Sequence, residues 1–146
     1  MGFTLRLPDD RWSAGWRPAD PKAKGCDGIA IPLVVRNESI ATDVSFFAAD
    51  GASDPQTLAR AFFAQPGIGH VLLYRNATPE RAELEIERLG DGDIESTKIV
   101  FARGVAGNPK RVITVVGATT FAHEGEMKRS VDALVAAIEP LRPAQQ

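Results

Sequence analysis

A chain of 146 residues fits one domain, and at this length about 70% of the extended surface can be buried. Hydrophobic residues make up 44% and charged residues 25%, the balance of a folded globule rather than of a disordered tail. The net charge is −2, and the basic residues fall in small groups (Arg17, Lys22 and Lys24; Lys110 and Arg111; Lys128 and Arg129), which disfavours nucleic acid because phosphate binding needs clustered cations.

In chain order, "FTLRL" (3–7) predicts a short strand. A long irregular segment is expected at 8–28, punctuated by Pro8, Gly15, Pro18, Pro21, Gly25 and Gly28. Strands resume at "IAIPLVVR" (29–36), where Pro32 cannot donate to a ladder and implies an edge or a bulge, and at "TDVSFFAA" (42–49). In "SDPQTLARAFFAQPG" a helix is expected: Ser53 or Asp54 caps it, Pro55 presets φ in the first turn, and Pro66-Gly67 stops it. Leu58 and Phe62 then share its core-facing side.

Four successive strands come next, at 70–76, 82–89, 94–103 and 110–120. "ELEIERL" alternates, with Leu84 and Ile86 inward and Glu83, Glu85 and Glu87 outward on a wet face. "RVITVVG" is apolar on both faces and belongs in the sheet interior. The closing helix, within "EGEMKRSVDALVAAIEPL", lines up Met127, Val131, Leu134, Val135 and Ile138 as one apolar stripe, and Pro140 and Pro143 end it. The fold class is therefore α+β: a mainly antiparallel central sheet of about six to seven strands flanked by two helices, in a single domain spanning 1–146.

Three acids, Asp91, Asp93 and Glu95, crowd the stretch between two of these strands. A calcium loop would need Gly at its sixth place and Glu at its twelfth, where Ser96 and Ala102 stand. Asp-Gly between alternating segments is instead a hairpin signal, because a tight primed turn needs positive φ. In "HEGEM" the second ligand position of a zinc-protease helix is Met127, at the head of the apolar stripe, so His123 and Glu124 read as a helix start. No metal and no cofactor are expected.

Cys26, the single cysteine, excludes an internal disulfide. Lys22 and Lys24 would lower its pKa and Asp27 would raise it, and a loop cysteine without a role is the plainer reading. No Gly-x-Ser-x-Gly elbow occurs, and the Gly-x-Gly of "PGIGH" precedes a strand rather than the helix an anion site needs. Nothing at the start reads as a signal peptide and no stretch approaches the roughly 20 apolar residues of a membrane span, so a cytoplasmic location is expected. An export signal removed from a longer precursor would place the domain in the periplasm instead.

What remains is the segment 8–28, longer than compact domains usually tolerate without a use. It carries both tryptophans, Trp12 and Trp16, next to Arg17, and Trp and Arg are favoured interface anchors. The bland alternative is that both rings cap the core.

The opening strand with Pro and Trp in "FTLRLPDDRW", the strand-to-helix "DVSFFAADGASDPQTLARAFFAQ", the hairpin "AELEIERLGDGDIESTKIVFARG" and the closing "RVITVVGATTFAHEGEMKRSVDALVAAIEPL" together resemble the PsbP-like superfamily, in particular its small bacterial DcrB and Eag types. The resemblance covers most of the chain in element order and apolar positions. It implies a non-enzymatic protein that binds other proteins. For the Eag type it implies a chaperone that shields apolar helices of type VI secretion effectors. The expectation is a non-catalytic protein-binding module with Trp12, Trp16 and Arg17 as partner contacts. A homodimer is a further assembly the sequence admits. A periplasmic or lipoprotein-type ligand-binding domain is the alternative, and a thiol or hydrolytic enzyme built on Cys26 or His123 is a third.

Overall fold

A computed structural model describes residues 3–16, 33–50, 54–64, 70–78, 80–89, 92–103 and 111–140. In chain order the strands and helices are β1 (Phe3–Leu5), β2 (Trp12–Trp16), β3 (Leu33–Asn37), β4 (Thr42–Asp50), α1 (Pro55–Phe63), β5 (His70–Thr78), β6 (Arg81–Leu89), β7 (Ile94–Arg103), β8 (Arg111–Thr120), α2 (Glu124–Ala136) and β9 (Ile138–Pro140). Seven strands form one sheet in the order β2-β3-β4-β8-β7-β6-β5, and every neighbouring pair is antiparallel. The two short strands β1 and β9 pair separately, joining the start of the chain to the segment after α2.

Local chemistry explains most boundaries. Asp54 caps α1 by accepting the Thr57 N–H at 2.7 Å, and Pro55 occupies the first turn. This hydrogen bond from Thr57 holds the Asp54 carboxyl below its ordinary pKa. A short 3-10 turn (Glu38–Ile40) links β3 to β4, capped by Asn37 accepting from the Ser39 N–H, and Ala41 leaves it at φ 45°. Between β6 and β7 the register closes at Leu89 opposite Ile94, and Gly92 supplies the positive φ of +80° that the turn requires.

The strand period of two gives the sheet two different faces. On one, Val35, Val44, Phe46, Val100, Ile113 and Val115 are fully buried beneath Met127, Val131 and Leu134 of α2. On the other, Leu84, Ile99, Phe101 and Val112 are buried with Ala59 of α1, and Leu58 and Phe62 pack against them. The Phe62 and Phe101 ring centroids lie 5.6 Å apart. Neighbouring residues of β7 (Phe101, then Ala102) belong to different clusters, so α1 and α2 lie on opposite faces. The doubly apolar β8 lies fourth of seven, the interior position its sequence predicts.

Three expectations need correction. The segment 8–28 is not wholly irregular: residues 12–16 form β2, paired with β3 from Trp12 opposite Asn37 to Trp16 opposite Leu33. Glycine, proline and charged residues on both sides hide this five-residue strand from any periodicity count. The closing helix stops at Ala136, not at the prolines, because the residue before Pro140 is driven out of the helical region and the chain extends into β9. Ile138 is thus buried from a strand rather than from the helix. The acids of β6 do not face water either: Glu83 is only 6% exposed, because the charged flank of α2 lies over them. Pro32, the expected edge or bulge, lies outside the described residues.

Helix and sheet come into close approach at Gly117 of β8. A Cβ there would run into Val131 Cγ2 and meet Met127 Sδ at 3.0 Å. Gly117→Ala is expected to lower stability by about 1–3 kcal/mol through overpacking. Gly125→Ala, whose Cβ would meet only the flexible Arg129 side chain at 3.5 Å, should leave stability equal or slightly higher. Urea denaturation of the two variants beside the parent protein checks both.

Candidate partner-binding face

Helix α2 covers its face of the sheet by two kinds of contact. Over β4 and β8 the cover is apolar. Over β6, and at Ser96 and Lys98 of β7, it is polar or ionic, whereas Val100 and Ala102 of β7 remain in the apolar cluster. Lys98, 7% exposed, donates to Asp132, with Nζ 2.9 Å from Oδ1, and Arg81 meets both Asp132 (3.7 Å) and Glu83 (2.8 Å). Lys128 lies 2.9 Å from Glu85 and 3.5 Å from Glu124, and the Ser96 hydroxyl donates to Glu124 at 2.7 Å. Glu124, Lys128 and Asp132 stand four residues apart, so one flank of α2 presents them in a row to the sheet. Arg11, held by Asp9 and by Glu126, ties the approach to β2 to the first turn of the same helix.

These contacts set the protonation of the seam. The Ser96 hydrogen bond, reinforced by Lys128, holds the Glu124 carboxyl below its ordinary range against the opposing effect of burial. Burial disfavours the Lys128 charge, but hydrogen bonding and charge from Glu85, and then from Glu124, outweigh it, so its pKa is raised.

The opposite face is closed only in part. Across one row of the register, Val34, Ser45 and Val116 are half-buried while Ile99 and Leu84 are buried. In the neighbouring rows Phe47, Thr114 and Ala118 are half-buried as well. Helix α1 rests on β6 and β7, and among the described residues no helix rests on this face at β3 and β4. Each strand here carries a buried residue and a half-buried one in alternation: Val35 and Val34, Val44 and Ser45, Phe46 and Phe47, Val115 and Val116. Among the described residues, this half of the face carries half-buried Val, Phe, Ala, Ser and Thr side chains, with Val116 packed against the edge of the α1-side cluster.

Trp12 lies opposite Asn37 and is 5% exposed, within the α2-side core beside Val35 and Val44. Trp16 ends the edge strand β2 opposite Leu33. Arg17 and Cys26 lie outside the described residues, as does Asp91. Asp93 is exposed and accepts the Ile94 N–H at 2.8 Å, a turn contact. His123 immediately precedes α2 and is half-buried, and Met127 below it is fully buried in the core. Among the described residues no group of three or more His, Cys, Asp or Glu side chains is placed to hold a metal ion, and no helix is long and apolar enough to cross a membrane. The open face went unrecognised in the sequence, although one signal marked it: adjacent Phe46 and Phe47 in a strand must point to opposite faces, so one of them needs a second cover. No protein-family model matches the chain, and no curated protein does.

These contacts set two expectations. Trp12→Ala should cost about 3–5 kcal/mol of stability, the penalty of emptying a core aromatic site, as read by thermal and urea melts. For Glu124, a depressed folded-state pKa contributes stability that is complete above the ordinary value of 4.5 and lost as pH falls through the folded value. Ser96→Ala, by letting that pKa rise, should lower stability at neutral pH and make its loss on acidification to about pH 3 shallower. Urea midpoints measured across that range test this, and an unchanged slope would count against the seam.

Proposed function

We propose that the chain is a non-catalytic protein-binding module of the PsbP-like kind that receives an apolar segment of another protein on the open half of its sheet. The observation that carries this reading is the row Val34, Ser45 and Val116 with its neighbour Phe47, half-buried beside a fully covered half of the same face. Contiguous apolar surface of this sort in a folded domain marks a place where something else sits. The element order supports the PsbP-like assignment: strands, helix, four successive antiparallel strands, closing helix. The buried ionisable groups Glu83 and Lys98 belong to the ionic seam that seats α2, which favours a structural rather than a chemical role for them.

Within that reading Trp16 and Arg17 are further partner contacts beyond the β2 edge, and Trp12 supports that edge from the core. An apolar effector helix of the type VI secretion pathway, held before export as the Eag-type chaperones hold theirs, is the partner this surface suits best. Co-expression with products of neighbouring genes, followed by purification and mass spectrometry, should yield a complex with a secreted effector. Phe47→Glu and Trp16→Ala should each break that complex in variants that circular dichroism shows to be folded. Equal capture by both variants, or no such complex, would overturn the reading.

A further inference from the structure

At one end of the open face lies a depression of about 290 Å³ lined by Ala41, Asp93, Ile94, Glu95, Ala118, Thr119 and Thr120. It is continuous with that face: Ala118 pairs with Asp43 on one side and Thr97 on the other, and lies two residues along β8 from Val116, while Thr120 pairs with Glu95. Its volume falls at the lower limit of small-molecule pockets, which start near roughly 300 Å³, so it suits one large side chain.

The lining chemistry selects which side chain. Ala41, Ile94 and Ala118 are its apolar lining. The two charged groups are both carboxylates, Asp93 and Glu95, and no cation is among the lining residues. The Thr119 hydroxyl donates its proton to the Ile40 carbonyl at 2.9 Å, so toward the depression it can act only as an acceptor. Asp93 accepts the Ile94 N–H through Oδ1 and is exposed. Glu95 meets Arg88 at 3.6 Å, a loose pair between side chains 45% and 58% exposed and therefore weak. Arg36, the other cation nearby, stands 3.8 Å from Asp43. A lining that joins apolar side chains to two carboxylates fits a side chain with a hydrocarbon stem and a cationic head.

We propose that this depression is a socket for an arginine or lysine side chain at the end of the partner's apolar segment. The inference rests on the protein-binding reading and adds the partner's chemistry. An apolar helix ending in a basic residue suits it doubly, because a cation at a helix C-terminus also complements the helix dipole.

The test uses the whole chain and two synthetic Leu/Ala helical peptides of equal length, one ending in Arg and one in Glu, titrated by calorimetry with NMR mapping. The Arg-ended peptide should bind at least about tenfold tighter, roughly 1.4 kcal/mol, and shift the amides of Ile94, Glu95, Ala118 and Thr120. Asp93→Asn with Glu95→Gln should remove that advantage, and so should high salt. Phe47→Glu should weaken both peptides. Equal binding of the two peptides would overturn the socket and leave the open face standing, whereas no binding of either would overturn both. Free N-acetyl-arginine amide binding as tightly as the Arg-ended peptide would also overturn it, by making the site one for a small cation rather than for a partner. Circular dichroism of each variant establishes that it is folded.

Discussion

The seating of α2 on β8 at Gly117 is the contact on which the remaining structure depends. A residue without a side chain at the centre of the sheet lets Val131 and Met127 approach the backbone, and those two, with Leu134 and Val135, contribute about 1.5–3 kcal/mol each through burial of apolar surface. The position of α2 then determines what its flanks touch. Gly117 pairs with Lys98, and Lys98 with Glu85, so one step and two steps along the same register bring the helix over charge. Asp132 and Lys128 stand where those charges need partners. Apolar packing provides the energy. The ion pairs fix the rotation of the helix, because turning α2 about its axis would leave Lys98 buried without a counter-ion.

The same geometry explains why β1 and β9 meet. Helix α2 terminates above the sheet and Pro140 holds the next residues extended, so β9 emerges close enough for β1 to pair with it from Leu5 opposite Ile138 to Phe3 opposite Pro140. Leu5 and Leu7 pack against the α2-side core in consequence. Strand β1 therefore does not enlarge the main sheet. It closes the cluster beneath the helix.

Much of this was legible in the residues. Asp54-Pro55 announced α1, the Asp-Gly turn announced the β6–β7 hairpin, and the stripe from Met127 to Val135 announced the buried side of α2. Each of these is local chemistry or strong periodicity within one element. The failures share a different origin. Strand β2 is only five residues long and includes Gly15, so its identity comes from pairing with β3, a relation that no window of sequence contains. Glu83 and Glu85 alternate as a wet face would, yet they are covered because α2 reaches them from more than forty positions away, with Lys128 set on Glu85. The open face was visible only as an ambiguity, two adjacent phenylalanines of which one must face away from the main core.

Simple dimensions limit how much of that face α1 can cover among the described residues. A nine-residue helix is about 13 Å long, whereas seven strands spaced about 4.8 Å apart span roughly 29 Å from edge to edge. Even laid straight across the strands, α1 would reach over only about half of this width, and it rests on β6 and β7, above Leu84, Ile99 and Phe101. The other half carries smaller and more polar groups, Ser45, Thr114 and Ala118, interspersed with Val34, Phe47 and Val116. That mixture makes the half beyond α1 less apolar than the half beneath it. In the proposed reading a partner helix lies over β3 and β4 beside α1, where no helix rests among the described residues.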